Sequence, residues 1–235
     1  MLKEYEDQGL LPSKEAIGWR APQGEAPPKP SEGEVVIFID HLLSGFSPPG
    51  SKFFRDVLNF LCLHPQDLAP NSISNICQFQ VLCEVYLQIE PTVPHFLEFF
   101  YLNRQTECID GPSQELGGIS LQRRRDGCFP AAVLPSHPKG WAKTWFYCRN
   151  TAPENESPLP GYRSDRLPMD FDLPGRAPQE ERDQFAFLFP KLTALQAWGL
   201  TGVDLTRCWV SWMIMPLSHR NDLMCNYSGR VDDPQ

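Results

Sequence analysis

Residues 70–89 read PNSISNICQFQVLCEVYLQI, and this stretch decides the fold. From Ile73 onward the apolar side chains Ile73, Ile76, Cys77, Phe79, Val81, Leu82, Cys83, Val85, Tyr86, Leu87 and Ile89, spaced at 100° per residue, cover most of a helix circumference. That is the pattern of a helix packed on several sides. Asn71 or Ser72 stands where an N-cap accepts the first free N–H groups, and Pro91 pushes Glu90 out of the helical region, so the helix ends there. Such a helix is a hub of the core, with Phe79, Leu82, Cys83 and Tyr86 among its structural residues. Its only charged residue, Glu84, must reach solvent or find a cation, and a structural pairing with Arg55 or Arg104 is expected.

Working outward, SKFFRDVLNFLCL at 51–63 puts Phe53, Phe54, Val57, Leu58 and Leu61 on one helical face before His64-Pro65 stops it. Residues 34–45, EVVIFIDHLLSG, begin with β-branched side chains. Val35, Phe38, Ile39, Leu42 and Leu43 nevertheless keep helical spacing, and a helix closed by Gly45 is expected. HFLEFFYL at 95–102 gives a fourth short helix with Phe96, Phe99 and Phe100 inward. Short connections make these four antiparallel neighbours in one block.

The period then changes. Residues 117–123, GGISLQR, alternate apolar and polar, and 144–148, TWFYC, form an aromatic strand, which together predict a small antiparallel sheet. The fold class is therefore mainly α with a small antiparallel β-sheet (α+β), a helical bundle core with long Pro-rich loops. Residues 1–33 read as a flexible, solvated N-terminal arm with Trp19 docking on the body, 34–149 as the helical block plus sheet, and 150–183 as a Pro-rich acidic loop or linker. Residues 184–216 read as a helical pair. Phe185, Leu188, Leu192 and Leu195 share a face, Pro190 kinks or restarts the first helix, and Thr201 with Asp204 forms a capping box for the second. The inward stripe of that second helix is Leu205, Cys208, Trp209 and Trp212, and 217–235 is a polar tail.

The 235 residues are 41% apolar, enough for a substantial core, and no apolar run approaches the ~20 residues of a membrane span. The start, MLKEYEDQG, lacks the basic and apolar regions of a signal peptide, so an intracellular location is expected, nuclear or cytoplasmic rather than secreted. In a reducing compartment the eight cysteines are expected as buried thiols, and the sequons at Asn155 and Asn226 carry no sugar. Cys62 with His64 and Cys128 with His137 are the pairings to weigh as metal ligands, but no zinc-site spacing is present. The net charge of −8 argues against a general nucleic-acid-binding surface.

Only 103–149 is locally basic. There Arg123, Arg124, Arg125, Lys139, Lys143 and Arg149 are interleaved with Trp141, Trp145 and Tyr147, the residue types that track phosphates and stack on unpaired bases. These residues are the candidate contacts to RNA or single-stranded DNA. The competing reading has the aromatics facing the core and the arginines solvated at a hairpin, since half of any antiparallel strand points inward. No phosphate loop, zincin motif, nucleophile elbow or set of converging carboxylates stands out. No catalytic residue, metal or cofactor is expected.

A succession of short motifs carries a resemblance. EVVIF (34–38), GFSPP (45–49), FFRDVL (53–58), LAPNSI (68–73), LCEVYLQIEP (82–91), GGISLQRR (117–124), KGWAKTWFYCRN (139–150), GLTGVDL (199–205) and MCNYSGRVDDP (224–234) occur in order. The chain resembles, over roughly 34–234, the plant gypsy-type transposon family, also described as the gypsy-type transposase domain, which forms the N-terminal part of long retrotransposon-derived reading frames. The resemblance implies origin and context, and it brings no catalytic residues to carry over. Together with the helical core and the lack of a catalytic constellation, it leads to the expectation of a non-enzymatic, gag-like or accessory domain that associates with itself or with another element-encoded protein. The alternatives are a nucleic-acid-binding module of the transposition machinery and, third, a transposase-like enzyme.

Overall fold

The computed structural model describes residues 1–104, 119–125, 129–130, 132, 134, 140–165, 174–176 and 178–214. In chain order these form α1 (Leu2–Asp7), α2 (Lys14–Ile17), β1 (Glu34–Phe38), α3 (Ile39–Leu43), α4 (Lys52–Phe60), α5 (Pro70–Val81), α6 (Val93–Phe99) and β2 (Phe100–Arg104). Then follow β3 (Ile119–Arg123), β4 (Trp145–Arg149), α7 (Gln179–Asp183), α8 (Leu188–Ala197) and α9 (Gly202–Trp209). The result is a mainly helical α+β fold, as the sequence predicts.

The central helix is α5, and it continues as a wider π-helical turn over Leu82–Leu87. It stops at Gln88, which takes a left-handed φ of 53°, three residues before Pro91. At the other end the N-cap is Ala69 with Pro70 in the first turn, not Asn71 or Ser72. Ser72 instead binds a strand. Its hydroxyl accepts the Leu121 N–H at 2.9 Å while Asn75 donates to the Leu121 carbonyl at 2.8 Å, so α5 grips β3 by both polar groups of one residue. Phe79 sits among Phe53, Phe96, Phe99 and Phe129, with ring centroids 5.3 to 6.4 Å away. Leu82 and Cys83 are buried, Tyr86 half-buried, and burial pushes the Tyr86 phenol up to about 12.

Glu84 does not pair with Arg55. It is exposed and accepts a 2.9 Å hydrogen bond from Gln80, because its position on the helix faces water and needs no ion partner. Arg55 is itself buried and engages the Gly50 carbonyl and Glu156.

Three expectations about the block are corrected. Residues 34–45 are not one helix, since Glu34–Phe38 is a strand and only Ile39–Leu43 is helical. Val35, Val36, Ile37 and Phe38 are all buried, as in a short strand covered on both faces, and at this length an apolar run does not distinguish helix from strand. HFLEFFYL divides in the same way: α6 ends at Phe99, and Phe100–Arg104 is β2. The two predicted strands, finally, do not pair with each other. β1 pairs antiparallel with β4, Val36 opposite Tyr147, and β2 pairs antiparallel with β3, Leu102 opposite Leu121. Each therefore completes a two-stranded ribbon with a segment whose own spacing predicts a helix.

Residues 1–33 are fastened to the body at several points, and most of 21–33 is exposed between them. Leu2, Leu11 and Ile17 enter the core and Trp19 packs on it. Arg20 exchanges backbone hydrogen bonds with Tyr147 at 2.9 and 3.0 Å and forks onto Glu34 at 2.7 and 2.5 Å. Residues 156–163, within the expected loop, are tied along α4 and the turn after it. Glu156 meets Arg55, Asn59 donates to Pro158, Gln66 donates to Arg163, and Arg163 pairs with Asp67 at 2.7 Å.

At the C-terminal end Pro190 falls in the first turn of α8, where its missing N–H costs nothing, so the helix is not kinked. Thr201 and Asp204 form the predicted capping box of α9. Leu205 and Trp209 face inward and Cys208 is half-buried, whereas Trp212, in the π turn that extends α9 over Val210–Ile214, is exposed and does not belong to the inward stripe. Cys77, Cys83 and Cys148 are the buried thiols expected, whereas Cys62 is exposed. Among the described residues no helix is long and apolar enough to cross a membrane.

Candidate functional site

The basic candidates are divided between the two ribbons. Arg123, Arg124 and Arg125 stand at the end of β3, whereas Trp141, Lys143 and Arg149 lie on or beside β4. Lys139 lies outside the described residues, as do Cys128 and His137. Several of the arginines hold the protein's own backbone. Arg123 donates to the Phe129 carbonyl at 3.0 Å, Arg124 to that of Leu97 at 3.0 Å, and Arg149 to those of Glu15 and Ala16 at 2.8 and 2.9 Å. Lys143 and Arg125 are exposed.

The aromatics between them turn inward. Trp141 is only 3% exposed. It stacks on His41 with ring centroids 4.8 Å apart and meets Phe38 edge-on at 5.1 Å. His41 holds the Leu68 carbonyl 3.0 Å from Nε2, so that nitrogen carries the hydrogen, and burial pushes the imidazole down to about 4. Tyr147 is fully buried beneath the Arg20 guanidinium, 3.9 Å from the ring centroid. Its hydroxyl donates to Glu25 at 2.6 Å and accepts from the Lys29 N–H at 2.9 Å and from half-buried Trp145 Nε1 at 3.4 Å. Burial is also the first cause raising the Tyr147 phenol, and the hydrogen bond from Tyr147 is the first cause lowering Glu25. This network ties the N-terminal segment to β4. The sequence holds no local signal of it, because Arg20 and Glu25 lie more than 100 residues from Tyr147, a separation at which no periodic pattern operates.

A shallow groove of about 180 Å³ opens between the 46–51 turn, α5 and α9, lined among others by Phe46, Pro49, Phe54, Cys77, Gln80 and Trp209. Its polar groups are already committed. Ser51 donates to Gln80 at 2.6 Å and Trp209 Nε1 to the Gly45 carbonyl at 2.7 Å. The Cys77 thiol is raised by burial, which keeps it protonated and unreactive. No group of three or more metal-ligating side chains converges among the described residues, and His64 binds the Gly161 carbonyl instead of acting with Cys62.

Besides Met1, Leu43 and Phe60, the exposed large apolar side chains among the described residues lie toward the C-terminal end: Phe187, Trp198, Val203, Trp212 and Met213, with Trp198 86% exposed. The sequence carries a signal for this surface. Residues 184–214 contain only Lys191, Asp204 and Arg207 as charged side chains, too few for a helical pair with a solvated outer face.

No curated protein and no solved structure matches the chain. One family model does match, over residues 35–104, which run from β1 to the end of β2. This is a narrower span than the motif succession suggests, and it contains α5 and the aromatic core around Phe79. The matching family is described as putative gypsy type transposon, and residues 35–104 are the part of the chain that resembles it.

Proposed function

We propose that this is a non-enzymatic, gag-like or accessory protein-interaction domain of a gypsy-type element, acting inside the cell on itself or on another element-encoded protein. The observation that carries this reading is the reversal of the expected aromatic exposure. The tryptophan and tyrosine that would stack on bases, Trp141 and Tyr147, are buried, while Phe187 and Trp198 on and beside α8 face solvent. Single-strand binding needs aromatic faces and cations on one open surface, and here the cations are divided between two ribbons and several are engaged by backbone carbonyls. Exposed aromatics with few charges around them are the composition of a protein interface core.

Co-expression with the other proteins of the element, alongside light scattering on the chain alone, tests the reading. A complex in either arm is expected. Failure of both arms, or DNA cleavage with Mg²⁺ or Mn²⁺, would overturn it.

A further inference from the structure

A helix of a soluble protein normally presents one apolar stripe inward and a charged face outward. α8 departs from that pattern. Leu188 and Leu192 are buried against the body, yet the opposite side shows Phe187, Pro190, Ala194, Ala197 and Trp198 exposed, with Lys191 as the only charge. Thr193, also exposed, ties its hydroxyl to the Phe189 carbonyl at 3.0 Å, so it offers no polar group that contact would strand. A helix apolar all round belongs in an interior.

We propose that the outer face of α8 is a self-association surface, occupied by α8 of a second copy of this chain related by a two-fold axis. This rests on the interaction-domain reading and names its partner. Two features select a second copy. First, the face is self-complementary in size: large side chains stand at its two ends, Phe187 and Trp198, and the small Ala194 lies toward its middle. Antiparallel packing about a two-fold midway along the helix sets Phe187 of each copy opposite Trp198 of the other, over a close-approach centre. Second, a chain of net charge −8 repels its own copies, and this face carries no carboxylate, with Lys191 lying 5.4 Å from the Phe187 ring centroid.

The area is modest. Phe187 is 48% and Trp198 86% exposed. Burying both rings from both copies, at roughly 150–250 Å² per fully exposed aromatic, with the intervening small residues, therefore reaches about 600–900 Å², below the usual size of a stable specific interface. The dimer is therefore weak and concentration-dependent.

Sedimentation velocity on the full chain from about 1 to about 200 µM tests this. The wild type should pass from one chain to two. Trp198→Glu, at a position almost wholly exposed, should weaken the association by more than about tenfold with an unchanged circular dichroism spectrum. Phe187→Glu should do the same, while Phe60→Glu, on an exposed apolar residue of α4, should not. A wild type that stays monomeric overturns the proposal. If that monomer still forms a complex with a co-expressed protein of the element, the interaction-domain reading survives. A wild-type dimer indifferent to both α8 variants also overturns it, leaving self-association through another face. A monomer that sediments with phosphatidylcholine vesicles assigns the face to lipid and counts against a second copy.

Discussion

The imidazole of His41 stacks on the indole of Trp141, ring centroids 4.8 Å apart, in a pocket closed by Phe38. The contact explains why the most prominent tryptophan of the basic segment is unavailable to a base. It also makes His41 a sensitive point for acid. Its folded pKa, about 4, lies below the 6.5 of an ordinary imidazole because burial disfavours the charged form. Between those values the unfolded chain binds a proton that the folded chain does not, so this contribution to stability is present above pH 6.5 and lost as pH falls toward 4. The loss is about 1.4 kcal/mol per pH unit. Urea denaturation across this range should show that slope, and His41→Gln should flatten it.

Ser72→Ala should destabilise the fold by about 1–3 kcal/mol, since it strands the Leu121 N–H inside the protein. Chemical denaturation measures the loss. Hydrogen exchange should locate it, with the Leu121 amide losing more protection than the interior of α5.

Tyr147→Phe removes one hydroxyl that serves Glu25, Lys29 and Trp145, leaving the ring beneath Arg20 in place. A loss of about 1–2 kcal/mol is expected. The more specific consequence is release of residues 25–29, visible as faster limited proteolysis there than in the wild type. Equal cleavage rates would show that the N-terminal segment is held by its other contacts, the Arg20 pairs with the Tyr147 backbone and Glu34 and the burial of Leu2, Leu11 and Ile17.

Glu98 is a buried carboxylate of α6 gripped by Arg182 at 2.9 and 3.1 Å, with Arg176 3.6 Å away. Glu98→Ala removes this partner from two partly exposed guanidinium groups and should cost about 1.5–3 kcal/mol. Trypsin should then cut after Arg182 well before the core opens.

The parts of the fold legible in the sequence are those governed by one period over a long enough run. α5 is legible because its apolar residues exceed one face, and α9 because Thr201 and Asp204 are a local signal three residues apart. What escapes is decided by partners far along the chain. Glu34–Phe38 becomes a strand because Trp145–Arg149 pairs with it, and Phe100–Arg104 because Ile119–Arg123 does, whereas both have helical spacing on their own. Glu84 illustrates a third case. Periodicity places it on an apolar helix but does not say which narrow sector faces water, and since that sector is its own, Glu84→Gln should change stability by less than about 0.5 kcal/mol. Of the candidate site, residue types are legible and orientation is not. Alternation says that half of β4 points inward without saying which half, and burial of Tyr147 is settled by Arg20 and Glu25.

The basic and aromatic residues of 123–149 that the structure describes belong to the protein's own framework. Fluorescence anisotropy with a labelled single-stranded RNA, titrated at low salt with wild type and with Arg123→Ala plus Arg124→Ala, tests it most directly. Neither protein should bind saturably, and the variant should have a lower unfolding midpoint because the Phe129 and Leu97 carbonyls lose their donors. Saturable binding by the wild type, weakened in the variant and with a shallower salt dependence, would contradict it.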